Sequence, residues 1–190
     1  MKKYLVILLA LLLFQTQTTL RAQGQGYVPS IVVFDTEESC REHADDAYNA
    51  CLYYLSHPST DANKAEVSQY IFSWAMRTEL VVILLGRTER RWMTRYSDDY
   101  LAAYIASSIV YAYNHRDEME TFGQYQYAVA GLVEYYRNNK ATSGENKVIE
   151  EYLTLKTKNE KAYDKKVKKD FQYFQKKDRI GWTQEIRPSW

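Results

Sequence analysis

Residues 79–87 read ELVVILLGR, the most apolar stretch beyond the first twenty residues. Its reading decides between a bilayer anchor and the centre of a water-soluble core. The wholly apolar part, Leu80 to Leu85, would cover about 9 Å as helix, whereas a hydrocarbon core is about 30 Å thick. Arg77 and Glu79 precede it, and Arg87, Glu89, Arg90 and Arg91 follow. So many charges at both ends are costly in a bilayer, and the stretch reads as core. Upstream, Val67, Tyr70, Ile71, Trp74, Thr78, Val81, Val82 and Leu85 recur at spacings of three and four. That predicts one amphipathic helix from Ser59–Asp61 to Leu85, its end buried on all sides. Gly86 would stop it with a positive φ just past the last turn.

The same period recurs on both sides. Asp35, with Glu38 three residues on, forms a capping-box pair before the stripe Cys40, Ala44, Ala47, Cys51 and Tyr54. That helix must stop near Ser56, because His57 precedes Pro58. Ser97 can cap a third helix with the stripe Leu101, Tyr104, Ile105, Ser108, Ile109 and Ala112. Ala102, Ala103, Ala106 and Ser107 keep this helix thin, so it should be central. Asp117 and Glu120 are the next capping pair, before Phe122, Tyr125, Val129, Leu132, Val133 and Tyr136. Gly131 suggests a close crossing, and Asn138-Asn139 an end. From a Ser143 cap, Val148, Tyr152, Leu155, Tyr163, Val167, Phe171 and Phe174 line one side. A single helix of about thirty residues fits an eleven-residue repeat of aromatics. A break at 157–160 competes with it, since Asn159 interrupts the stripe.

The expected fold is therefore all-α: a single-domain bundle or helix-pair array of about five helices over residues 35–180. Residues 23–34, with Pro29 among β-branched neighbours, form an extended leader, and residues 181–190 a non-helical tail. No tetratricopeptide-like period comes into register.

The chain opens with Lys2 and Lys3, then an apolar run from Tyr4 to Phe14 and Leu20-Arg21-Ala22. This is the layout of a secretory signal peptide over residues 1–22, cleaved after Ala22. The run is too short for a membrane span. The reading is of an exported chain, periplasmic or at the cell surface, with no transmembrane helix after cleavage. Charge is uneven. Residues 156–190 carry nine Lys and two Arg against five acids, whereas residues 23–155 carry a net excess of acids. The lysine run Lys165–Lys169 could be read as a site for an anionic membrane or for nucleic acid. Acids at Glu160, Asp164 and Asp170 offer i,i+4 partners, so it reads instead as a solvated helix face with no nucleic-acid partner.

Reactive side chains are few. Cys40 and Cys51, eleven residues apart on one helix, would lie about 16 Å apart, too far for a disulfide. They read as buried free thiols unless the helix breaks between them. Cys40, His43 and Asp46 include metal-ligand types, but they do not hold one face, and no Glu-x-x-His exists elsewhere. None of the three His lies in a His-Glu-x-x-His, and there is no Gly-x-Ser-x-Gly, dinucleotide or P-loop motif. A Cys/His nucleophile pair would need a cysteine to meet His57 or His115 in space. No catalytic, cofactor-binding or metal-ligating residue is assigned, and no cofactor is expected. Eighteen Tyr is a heavy load, mostly explained by packing. The doublets Tyr53-Tyr54 and Tyr135-Tyr136 put a second ring off the core face.

FSWAMRTELVVILLG, followed by a small-residue helix, and VEYYRNNK, followed by a lysine-rich helix, stand behind a leader ending Ala-Gln. In this the chain resembles uncharacterised secreted all-helical proteins of Gram-negative bacteria over most of its length. The resemblance implies residence in the periplasm or at the cell surface and carries over no functional residue. The expected role is a non-enzymatic module binding another protein or an envelope component; the alternative is an envelope hydrolase with an unrecognised site. An interaction module needs an exposed aromatic or apolar patch. An enzyme needs a pocket with convergent titratable groups.

Overall fold

Thr36, not Asp35, opens the helical region: its Oγ1 accepts from the Ser39 N–H at 3.1 Å. In the computed structural model, which describes residues 32–86, 98–116 and 120–178, α1 (Glu37–Glu42) and α2 (Ala44–Ser56) follow. They are separated at His43, which leaves helical geometry at φ −103°, ψ 18°. The predicted single helix is thus broken between Cys40 and Cys51. Both thiols are nonetheless free and buried. His57 is extended (ψ 152°), as Pro58 requires.

The helix expected to reach Leu85 ends ten residues sooner: α3 is Lys64–Ala75. Beyond a short turn, residues 78–86 have no helical structure, so ELVVILLGR is not a helix end. Gly86 does not take up a positive φ; Gly144 does, at 88°. Val81, Val82 and Ile83 are β-branched and stiff at χ1, which favours extended backbone. A short apolar run satisfies both periods, so spacing alone does not separate the two. Outside a helix its backbone needs other partners. Glu37 accepts from the Glu79 N–H at 3.0 Å and Thr78 from that of Leu80 at 3.1 Å. Gln124 donates to the Val82 carbonyl at 2.9 Å and Tyr104 to that of Leu84 at 2.8 Å. Leu80 and Val81 are buried, and Val82 to Leu85 are half-buried. Among the described residues, no helix is long and apolar enough to cross a membrane.

α4 (Asp99–Asn114) is central, as its small residues predict. Eleven of its residues are buried, Ala102, Ala103, Ala106 and Ser107 among them. α5 (Thr121–Ser143) crosses it closely at Gly131, where an added Cβ would lie 2.8 Å from the Ser107 Cβ. α5 runs past the end expected at Asn138-Asn139. Asn139 stays helical because its amide is satisfied on both sides: it donates to the Tyr135 carbonyl and accepts from the Ser59 N–H at 2.7 Å. Ser143 is therefore the last residue of α5 rather than a cap. Asn146 caps α6 (Lys147–Lys158) through the N–H groups of Val148 and Ile149. Asn159 then ends α6 and caps α7 (Glu160–Tyr173) by accepting from Ala162. The thirty-residue helix is two, and a π-helical turn, Phe174–Asp178, follows. The expected caps Ser97 and Asp117, the leader before residue 32 and the tail from 181 lie outside the described residues.

The described residues form seven α-helices and no strand. They pack as consecutive pairs: α2 with α3, α4 with α5, α6 with α7. The first pair meets the second through α4, and the second meets the third through α5. Phe34 tucks edge-on against Tyr70 and His43, closing the first pair.

Candidate functional site

The ends of the pairs carry two clusters of polar and aromatic groups. The first is buried and begins with a backbone defect. In a helix the Tyr54 carbonyl would accept from the N–H of residue 58, but Pro58 has none. Lys64, at the start of α3, donates its ammonium to that carbonyl instead. Its Nζ lies 3.7 Å from the Tyr54 ring centre and 4.8 Å from that of Tyr135, within cation–π range of both. Lys64 is only 6% exposed. Burial lowers its pKa from 10.5 to about 8, against the opposing pull of Asp99 and Asp61.

The residues around it are tied to one another. Tyr54 reaches the Asp99 carbonyl at 3.3 Å, and Ser143 donates to the Asp99 carboxylate at 2.7 Å. The Asn63 N–H and Tyr53 both donate to Asp61 at 2.9 Å, which holds that carboxyl below its ordinary pKa. All four rings of the two tyrosine doublets are buried, so neither doublet offers a ring to solvent as expected from sequence. In a bundle of paired helices, such doublets find cover on both sides. Burial raises the pKa of Tyr54, Tyr100, Tyr135 and Tyr136, and these hydroxyls stay protonated near neutral pH.

Beside this cluster lies a cleft of about 360 Å³, lined by Tyr136, Glu145, Asn146, Lys147, Glu150 and Thr154 among others. Glu150 accepts from Tyr136 at 2.7 Å and from Lys140 at 3.1 Å, and both donors lower its pKa. A carboxylate so held is an acceptor, not a proton donor, near neutral pH.

The second cluster lies at the surface, with Tyr127 and Arg116 exposed and Tyr48, Tyr111 and Tyr113 half-buried. Tyr48 of α2 stacks on Tyr113 of α4 with centroids 4.1 Å apart. Arg116 lies over the other part of this unit, 3.8 Å from the Tyr113 ring centre and 3.7 Å from Asp45, which also accepts from the Tyr113 hydroxyl. Tyr111 stacks on His115 at 4.0 Å and meets Tyr127 of α5 at 5.6 Å. Tyr127 is 45% exposed, a large value for a ring on a packed helix. Gly123 makes room for the Tyr111 ring, whose Cζ would lie 3.2 Å from a Cβ there.

The sequence-level candidates fall apart in space. Cys40 is sealed in the core while His43 pairs with Asp46 at 2.9 Å nearer the surface. His57 bonds the Tyr53 carbonyl and His115 the Tyr111 carbonyl, each within its own helix end. Burial, with Glu37 nearby, pushes the Cys40 thiol up to about 11, and burial pushes Cys51 well above its ordinary value. Neither supplies a thiolate at neutral pH. Sequence reasoning missed Lys64 and the Tyr111–Tyr113–Tyr127 group. Pro58 was the available signal for the first, since it deprives Tyr54 of a donor. For the second the spacing of Tyr48, Tyr113 and Tyr127 across three helices gives no linear pattern. Protein-family models, curated proteins and solved structures yield no match to this chain.

Proposed function

We propose that this is an exported helical protein that works by binding another protein or an envelope component, through the ring cluster at the surface of α2, α4 and α5, where Tyr127 is exposed and Tyr48, Tyr111 and Tyr113 show part of each ring. The observation that carries this reading is the Tyr48–Tyr113–Arg116 stack with Tyr111 and Tyr127 beside it. Tyrosine and arginine supply large contact area with a polar handle, and both are enriched where binding energy concentrates. The rings are held by stacking and by Asp45, so little side-chain freedom remains to be lost on association. By contrast, the buried Lys64 cluster is occupied by its own neighbours, and its role is to close the ends of α2 and α5. The leader MKKYLVILLALLLFQ supports export.

A photo-crosslinking residue at position 127, introduced into the chain expressed in cells, tests the interface. The expected result is a discrete adduct with an envelope component that disappears when Arg116→Ser and Tyr113→Ser are added. An adduct pattern unchanged by those substitutions, or no adduct at all, overturns the reading. Export is tested separately by the N-terminus of the mature chain, expected at Gln23.

A further inference from the structure

The outward face of α7 carries a lysine array whose nearest acid, the exposed Asp164, lies just outside it. With each residue turned about 100° from the last, Lys161, Lys165, Lys168, Lys169 and Gln172 fall within an arc of about 100°. Tyr163, Val167 and Phe171, on the other side of the helix, are buried against the body. Glu160, Asp164 and Asp170 all fall outside the arc. The i,i+4 pairing expected from sequence is realised only on the flank, where Lys166 meets Asp170 at 3.3 Å and Glu151 at 3.4 Å. Lys161, Lys165, Lys168 and Lys169 are exposed, and among the described residues none of the four forms an ion pair. They span about 12 Å of straight helix.

We propose that this face docks on an anionic lipid surface. A surface of lipid headgroups is flat on the scale of one helix, so it meets all four ammonium groups at once. The array has no arginine, the group that reads the planar edges of nucleic-acid bases, and the nearest exposed ring, Tyr173, lies about 40° beyond the arc. Lysine acts here as a point charge, which suits a diffuse layer of negative charge. The remainder of the chain favours the same orientation. Residues 23–155 hold 19 acids against 11 basic residues, so a polyanion that wrapped the body would be repelled. A plane touching α7 alone keeps that body at a distance.

The full mature chain, purified and mixed with vesicles, gives the test. It is expected to sediment with vesicles of phosphatidylglycerol and phosphatidylcholine, not with phosphatidylcholine alone, and to be released by salt. The variant K161Q/K165Q/K168Q/K169Q is expected to bind at least about tenfold more weakly. All four side chains are exposed, so its helical dichroism should match the parent. The control R137Q/K147Q removes charge elsewhere and should bind like the parent. Equal binding by the parent and the quadruple variant overturns the proposal, as does failure of the parent to bind anionic vesicles. Tighter binding to duplex DNA than to the vesicles overturns it in favour of a nucleic acid. Loss of the position-127 adduct leaves this result untouched, since the two surfaces are on different helices.

Discussion

At the scale of single residues, Lys64 shows how one missing N–H propagates. Pro58 ends α2 and leaves the Tyr54 carbonyl without its donor, and a buried lysine takes the place of that donor. In Lys64→Met the carbonyl is orphaned, a loss of about 1–3 kcal/mol, while the disfavoured buried charge is removed. The two effects separate with pH. The folded pKa of about 8 lies below the unfolded 10.5, so below about 8 both states are charged and the burial penalty is present in full. Between the two values the unfolded chain holds a proton that the folded chain lacks, and stability rises with pH. The penalty relieved across this window is roughly 3 kcal/mol. The buried tyrosines act in the opposite sense, because their raised pKa values make folding less favourable as the unfolded chain ionises above about 10. The informative quantity is therefore the difference in unfolding free energy between the parent and Lys64→Met. Urea titrations should show it growing through the window, and a flat difference contradicts the account. Gly131 is the second residue whose neighbours decide its identity. In Gly131→Ala the new methyl meets Ser107, forcing α4 and α5 apart at about 1–3 kcal/mol. Ser107→Gly should recover most of that loss, and a double-mutant cycle with no coupling would show that the crossing is not the cause.

At the scale of elements, the boundaries set by side-chain caps and those set by tertiary packing behave differently. Asn159 is a local signal. It interrupts the apolar stripe and its amide oxygen accepts from Ala162, so the α6–α7 break was readable beside the longer helix. Asn159→Ala should lose about 1 kcal/mol of stability, measured by chemical unfolding. An unchanged midpoint would place the break in packing alone. The segment 78–86 is the contrary case. Its apolar residues fit the helical stripe of α3, and the partners that satisfy its non-helical backbone lie 20 to 42 positions away, in Tyr104 and Gln124. No pattern within the segment announces those partners. The prediction at this scale is that Gln124→Ala, which removes the donor to Val82, loosens residues 78–86 more than α4. Hydrogen exchange should accelerate in the segment first; uniform acceleration across the core would mean that Gln124 acts globally.

For the whole molecule, the all-helical class was legible because it depends on periodicity alone, and the central place of α4 because small residues limit what can pack there. The proposed surfaces were less so. Tyr48, Tyr113 and Tyr127 come from three helices, and Lys64 looks like any solvated lysine until Pro58 is considered. The lysine face on α7 was visible as composition, but whether acids neutralise it depends on which side of the helix they occupy. The cysteines are decided at this scale too. The bend at His43 removes the straight-helix argument for keeping them apart, yet the core still encloses each thiol, Cys40 and Cys51 both at 0% exposure. Because burial also raises both thiol pKa values, modification is blocked twice, by access and by the scarcity of thiolate. A thiol reagent added to the native protein at neutral pH should therefore report no reactive cysteine. In denaturant the same reagent should report two per chain, at a rate set by ordinary thiols. One or both reacting in the native state would mean that the pair α2–α3 opens over the core far more readily than its packing allows, whereas none reacting after unfolding would mean that the two sulfurs are joined.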